Sequence, residues 1–180
     1  MSNHSPQPQQ EIGAPVPFDI RKNRQRVLQF MQQSHDTLAH VLSTVDQETA
    51  TTRRDARDGD QGWTVLEVLC HLRDFDHFFR ARATVISEGD YPHLPGQDHR
   101  KLAIEGNYNG QKLAAVLDEF THSRRQTISF FEQLDEDLWQ RAGVHPERGH
   151  FTMLDAALQV GMHDNIHLEQ ITRILYQNQP

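Results

Sequence analysis

One stretch restricts the fold of this chain more than any other: Thr152 to Leu175. Within it Val160, His163, His167, Ile171 and Ile174 recur at steps of three and four, which places them on one face of a helix. Two imidazoles therefore lie on the stripe that should face the core, where a neutral ring needs partners for its nitrogens. Such a helix requires neighbours that cover its apolar positions and meet its histidines.

The rest of the chain supplies those neighbours. A first helix is expected from about Asp19, with Ile20, Val27, Met31, Leu38, Val41 and Val45 on its seam and Ser34 filling the one gap. The second opens on a capping box, Thr64 with Glu67, which Trp63 and Val68 can staple. Its stripe is Val68, His71, Phe75 and Phe78, with Leu72 and Phe79 beside it, and Gly89, Asp90 and Pro92 end it. A third helix, from about Gly110 to Leu134, buries Leu113, Val116, Leu117, Phe120, Ile128 and Phe131 around a polar interruption at Ser123 to Arg125. Thr152 and Asp155 repeat the capping-box pattern ahead of the last helix.

Between these helices, Asp46 to Gly62 and His145 to Gly149 are expected as connectors, and Asp135 to Trp139 as a short extra turn. Tyr91 to Asn109 reads as an irregular loop of a length that is uncommon inside a compact domain and often functional. No run alternates as a strand does. The expected fold is all-α, a four-helix bundle with a long loop between its second and third long helices. Residues 1–17, rich in Ser, Pro and Gln, read as a disordered tail, and residues 18–180 as one bundle domain.

A net charge of −7 argues against a general phosphate-binding role, hence against nucleic acid as a partner. No apolar run is long enough to span a bilayer, and the start lacks a signal-like segment. The single cysteine, Cys70, excludes an intramolecular disulfide, so the cytoplasm is the default location.

His163 and His167, four apart on rigid backbone, can chelate one ion, and His71 lies on a second core-facing stripe that bundle packing can bring opposite. Three neutral imidazoles suit zinc, nickel and similar ions and leave a position open for water or substrate. For one buried histidine a satisfied hydrogen bond is the ordinary explanation; for three on two stripes a metal is the better one. The His163-Asp164-x-x-His167 run superficially resembles the zincin motif with Asp164 in the place of the base, but Asp is a methylene shorter and the rest of that pattern is missing. Cys70 points about 100° away from His71 and is not expected as a ligand. Asp74 and Asp164 can orient ligands or remain solvated. His122, His145 and His150 are expected as exposed rim residues, and Arg73, Arg80 and Arg82 in surface or interhelical ion pairs.

Trp63 to Leu72 resembles the second-helix signature of the DinB-like superfamily, and His163 to Ile171 resembles its last-helix signature. His93 to Asp98 resembles the inter-helix loop of one branch of that family, and His145 to Thr152 the run before its last helix. The resemblance implies a four-helix bundle in which His71, His163 and His167 hold one divalent metal, commonly zinc or nickel. It also implies a metal-dependent thiol S-transferase acting on a small electrophile, with a low-molecular-weight thiol such as bacillithiol, mycothiol or glutathione as cosubstrate. Some members are instead labelled metal-dependent hydrolases, and homodimers are common. A non-catalytic metal or small-molecule binding bundle is the rival from another class. No catalytic side chain beyond the three histidines is assigned.

Overall fold

The computed structural model describes residues 20–57 and 62–176, with the side chains of the first helix from Asn23 onward. Residues 1–17, expected as a tail, lie outside the described residues. Four long helices make the bundle: α1 (Ile20–Ser43), α3 (Val65–Glu88), α5 (Leu113–Glu132) and α7 (Met153–Tyr176). Shorter elements join them: α2 (Gln47–Thr52), α4 (His99–Glu105), a 3-10 turn (Tyr108–Gly110), α6 (Glu136–Trp139), β1 (Ala142–His145) and β2 (Gly149–Thr152). α3 and α1 each pack against both α5 and α7, so α1 faces α3 across the bundle and α5 faces α7.

Both expected capping boxes form. Thr64 Oγ1 accepts from the Glu67 N–H and the Glu67 carboxylate accepts from the Thr64 N–H at 2.7 Å. Thr152 and Asp155 make the same reciprocal pair. Each leaves fewer unpaired donors at a helix start and fixes where α3 and α7 begin.

The core is two apolar clusters separated by a polar layer. One cluster gathers Leu38 and Leu42, Val65 to Leu72 apart from Glu67 and His71, Val116 and Phe120, and Ile171 and Ile174. The other gathers Val27 and Met31, Phe79 to Ile86 in part, Phe131 and Trp139, and Met153 to Val160 in part. α3 and α5 both run from the first cluster to the second, whereas α1 and α7 run the other way. Parallel α3 and α5 need a connection that travels back along the bundle, about 36 Å for a 24-residue helix. This is why residues 89–112 are long. The segment leaves the second cluster at Leu94 and rejoins the first at Tyr108.

Three expectations are corrected. The Asp46–Gly62 connector contains α2, capped by Asp46. The Tyr91–Asn109 loop contains α4, capped by Asp98, and the start of the 3-10 turn. The segment before α7 is an antiparallel hairpin, Ala142 opposite Thr152 and His145 opposite Gly149, where no strand was expected. Each strand is four residues long, too short to show alternation in sequence, although Gly143, His145 and Phe151 are buried, and a third segment adds to the hold: Val144 exchanges backbone hydrogen bonds with Pro92 and Leu94. Gly143 is required there, since a Cβ would stand 2.7 Å from the Pro92 oxygen. The expected polar interruption at Ser123 to Arg125 is present, with Ser123 and Arg124 buried in the polar layer and Arg125 exposed.

Candidate metal centre

The polar layer begins with Arg124 on α5. Its Nε donates to Asp76 Oδ1 of α3 at 2.7 Å, and its Nη1 and Nη2 donate to Asp164 of α7 at 2.5 and 2.9 Å. Nη1 also reaches the Met31 carbonyl of α1 at 3.1 Å. Ser34, the gap in the α1 seam, donates to Asp164 at 2.5 Å, while Ser123 and Thr127 donate to Asp76. All of these groups are buried. Asp164 is therefore neither solvated nor a base beside the site; it is one arm of a buried ion pair.

On the adjacent face of α7, His163 and His167 meet His71 of α3. The His163 Nε2 lies 3.0 Å from His71 Nε2 and 3.2 Å from His167 Nε2. One ligand atom from each of the three falls within 4.8 Å of the others. Burial, together with the neighbouring imidazoles, holds His71 down at about 3 and His163 at about 2. His167 is lowered too, chiefly by burial. Three neutral rings thus aim nitrogens at one point.

The tautomer of His167 follows from its surroundings. Gln170 bridges His167 Nδ1 at 2.8 Å and Asp55 Oδ2 at 3.2 Å. Burial works against the Asp55 charge, but Arg173 and the Arg57 N–H outweigh it and hold the carboxyl below its ordinary range. An ionised Asp55 only accepts, so the Gln170 amide must turn its NH2 to Asp55 and its oxygen to His167. His167 Nδ1 then carries the proton, and its Nε2 presents a lone pair to the site. Asp55 reaches this position because Gly62 lets the chain close on it: a Cβ on Gly62 would stand 2.1 Å from the Asp55 backbone carbonyl oxygen.

These residues fit a divalent metal. Nitrogens bound 2.0–2.1 Å from one tetrahedral ion stand roughly 3.3–3.4 Å apart, close to the distances here. Protons alone serve the cluster poorly. The His163 Nε2 faces two other Nε2 atoms: a hydrogen on it would have to be shared between both contacts, and without one its lone pair faces that of His167. Among the described residues the buried His71 Nδ1 has no hydrogen-bond partner, and its ring is held by packing against Phe75 and Trp63, with centroids 4.2 and 5.1 Å away.

Above the triad opens a cleft of about 990 Å³ whose lining includes Trp63, Phe75, His99, Arg100, Ile104 and Tyr108. Its far wall is α4, carried there by the long connection. His99 stands 6.2 Å from His71, ring to ring, a neighbour no periodicity could reveal because it depends on that crossover. Gln170, by contrast, was findable: it follows His167 by three on the same helix.

The other expected residues lie elsewhere. Cys70 is buried, its Sγ 3.7 Å from the Tyr108 carbonyl and its thiol pushed up to about 12 by burial. Asp74 accepts from Arg73 and the Tyr108 hydroxyl. Arg73 also pairs with Glu119, and Arg80 lies 3.9 Å from Asp76. Arg82 departs from the expected ion pair, donating to the Pro95 carbonyl and lying over the Phe78 ring. His122 and His150 are exposed, whereas His145 is buried, against expectation, beside Phe151.

A family model of the DinB superfamily matches residues 29–171. Among solved structures, YfiT from Bacillus subtilis, described as a probable metal-dependent hydrolase with an unusual four-helix bundle topology, superposes with a TM-score of 0.78 at 17% identity, over 92% of this chain and 93% of its own. The mycothiol-dependent maleylpyruvate isomerase superposes with a TM-score of 0.69 at 13% identity, over 82% of this chain and 60% of its own, so this chain corresponds to part of that enzyme. These two likenesses are likenesses of fold. A search of curated proteins finds no match.

Proposed function

This chain belongs to the DinB superfamily, and we propose from that premise that it is a metal-dependent enzyme using a low-molecular-weight thiol to attack a small electrophile. The observation that carries the proposal is the convergence of three imidazole nitrogens from α3 and α7 at the floor of an open cleft. His71, His163 and His167 would hold one divalent ion, zinc or nickel. Bound there, such an ion lowers the pKa of a thiol or water in its open position. The chain's own contribution is to keep the three rings neutral by burial, to fix the His167 tautomer through Gln170 and Asp55, and to wall the cleft with Trp63 and Phe75 against bulk water. Hydrolysis is the second reading, favoured by the description of YfiT, which aligns over nearly its whole length. A transferase forms product only with added thiol; a hydrolase turns over without it.

Metal content of the untagged protein, measured beside a His163→Ala/His167→Ala variant, tests the site. One ion per chain, lost in a variant of unchanged helicity, is expected. A metal-free wild type after incubation with zinc and nickel would overturn it. Among the described residues no helix is long and apolar enough to cross a membrane. A homodimer and a cytoplasmic location belong to this same proposal, and light scattering tests the first.

A further inference from the structure

We propose that the cleft takes a ligand with a carboxylate on a small apolar body, and that Arg100 receives the carboxylate. The proposal rests on the reading of the cleft as a ligand site over the triad and adds the chemical class of what enters it.

α4 is an unusual wall. None of its residues is buried, yet His99, Arg100, Ala103 and Ile104 all line the cleft. Their spacing of three and four makes them neighbours on the helix surface, along the side that lines the cleft, while Leu102 and Ala103 seat the helix on the first apolar cluster. Ile104 is 80% exposed, an apolar surface left open beside the site. The carboxylates nearest to Arg100 in sequence are engaged elsewhere. Asp98 accepts from the backbone N–H groups of Arg100 and Lys101 at 3.0 and 3.1 Å, and Glu105 pairs with Lys101 at 3.7 Å. Among the described residues the Arg100 guanidinium has no hydrogen-bond or ion-pair partner.

The charge of the lining points the same way. Among the described residues its one carboxylate, Glu67, is held by the Thr64 N–H at 2.7 Å and by Arg54 at 3.3 Å. Among the described residues the cleft therefore has an arginine without a countercharge and no free carboxylate, in a chain whose net charge is −7. An anion approaching this molecule meets repulsion except where such a cation is exposed. A guanidinium offers a planar fork that matches a carboxylate with two parallel hydrogen bonds, while Ile104 and Trp63 offer apolar contact to the remainder of the molecule.

The test uses ω-mercaptocarboxylates of one to five methylenes, their uncharged amides, and the thiol-free carboxylates of the same lengths. Binding to the protein as purified is read by Trp63 fluorescence; Trp139 is buried in the second apolar cluster, away from the cleft. Thiol arrival at the triad is read separately, by the visible absorption of cobalt-substituted protein. At the best length the carboxylate should bind about tenfold tighter than its amide, about 1.4 kcal/mol. Arg100→Met should erase that ratio and leave the amide unchanged, and Arg100→Lys should restore part of it. Preference among the thiol-free acids assigns the carboxylate to the electrophile; preference confined to the thiols assigns it to the cosubstrate. Equal binding of acid and amide at every length, or a preference that survives Arg100→Met, overturns the proposal. A cobalt spectrum unmoved by thiols while the ratio persists sinks the thiol reading and leaves the carboxylate subsite standing.

Discussion

Arg124→Met removes the one cation that, among the described residues, is enclosed in the polar layer, while keeping most of its apolar volume. Four hydrogen bonds disappear, to Asp76, to both oxygens of Asp164 and to the Met31 carbonyl. The two carboxylates left behind are not equally provided for. Asp76 keeps Ser123, Thr127 and the more distant Arg80, whereas Asp164, 1% exposed, keeps Ser34. Breaking a buried pair from one side costs about 3–5 kcal/mol, because an uncompensated charge remains inside. For a domain whose stability lies in the range of about 5–15 kcal/mol, that is a third or more of the total. Urea unfolding of the metal-free protein measures it. The loss should hardly change at high salt, since the layer is sealed from solvent. Adding Asp164→Asn to Arg124→Met should cost much less than the sum of the single changes, with a coupling of about 2 kcal/mol or more. A loss below about 1 kcal/mol, or strict additivity, would refute the argument that these groups act as one buried unit.

Gln170→Ala should lower metal affinity by about 10–100-fold with helicity intact, because it frees the His167 proton to occupy either nitrogen; competition against a chelator reads this, and unchanged affinity would remove Gln170 from the site. Metal-free protein should lose stability as pH falls from about 6.5, where a histidine of the unfolded chain begins to take protons, toward about 3, where the buried His71 follows. Above that window the unfolding free energy should be level in these groups, and His71→Gln should flatten the acid slope; an unaltered slope in the variant would refute the assignment. Cys70, buried and with its thiol pushed up to about 12, should resist thiol-modifying reagents in the native protein and react in urea, and rapid native labelling would show that the end of the bundle around Tyr108 opens.

The four long helices were legible because their signals are local. Capping boxes at Thr64 and Thr152 need four residues each, and apolar steps of three and four persist over many turns. His163 and His167 were legible for the same reason, as one helix fixes their distance, and His71 because it interrupts an otherwise apolar stripe. The polar layer was not. Ser34 reads as a gap, Asp164 as a surface acid and Ser123 to Arg125 as a break, and only their meeting across helices gives them meaning. α4 escaped notice because it is seven residues long and meets the core through Leu102 and Ala103, too short a run to show apolar periodicity. The hairpin escaped because its strands are four residues each, too short for alternation to show, and Gly143 answers to the Pro92 backbone as well as to the core.

The polar layer and the histidine triad occupy the same level of the bundle, and one residue connects them. From α5, Arg124 touches α1, α3 and α7 at once. Apolar seams tolerate repacking at modest cost. A forked hydrogen-bond pattern does not: sliding α7 by one turn, about 5.4 Å, would separate Asp164 from Arg124 entirely. The same slide would carry His163 and His167 away from His71 on α3. The bonds that set the relative height of α3 and α7 thus also set the distances among the three ring nitrogens. Two apolar clusters supply the bulk of the stability, and the charged layer between them determines the register in which that stability is realised. A site that needs nitrogens about 3 Å apart on two different helices is held by that register, not by either helix alone.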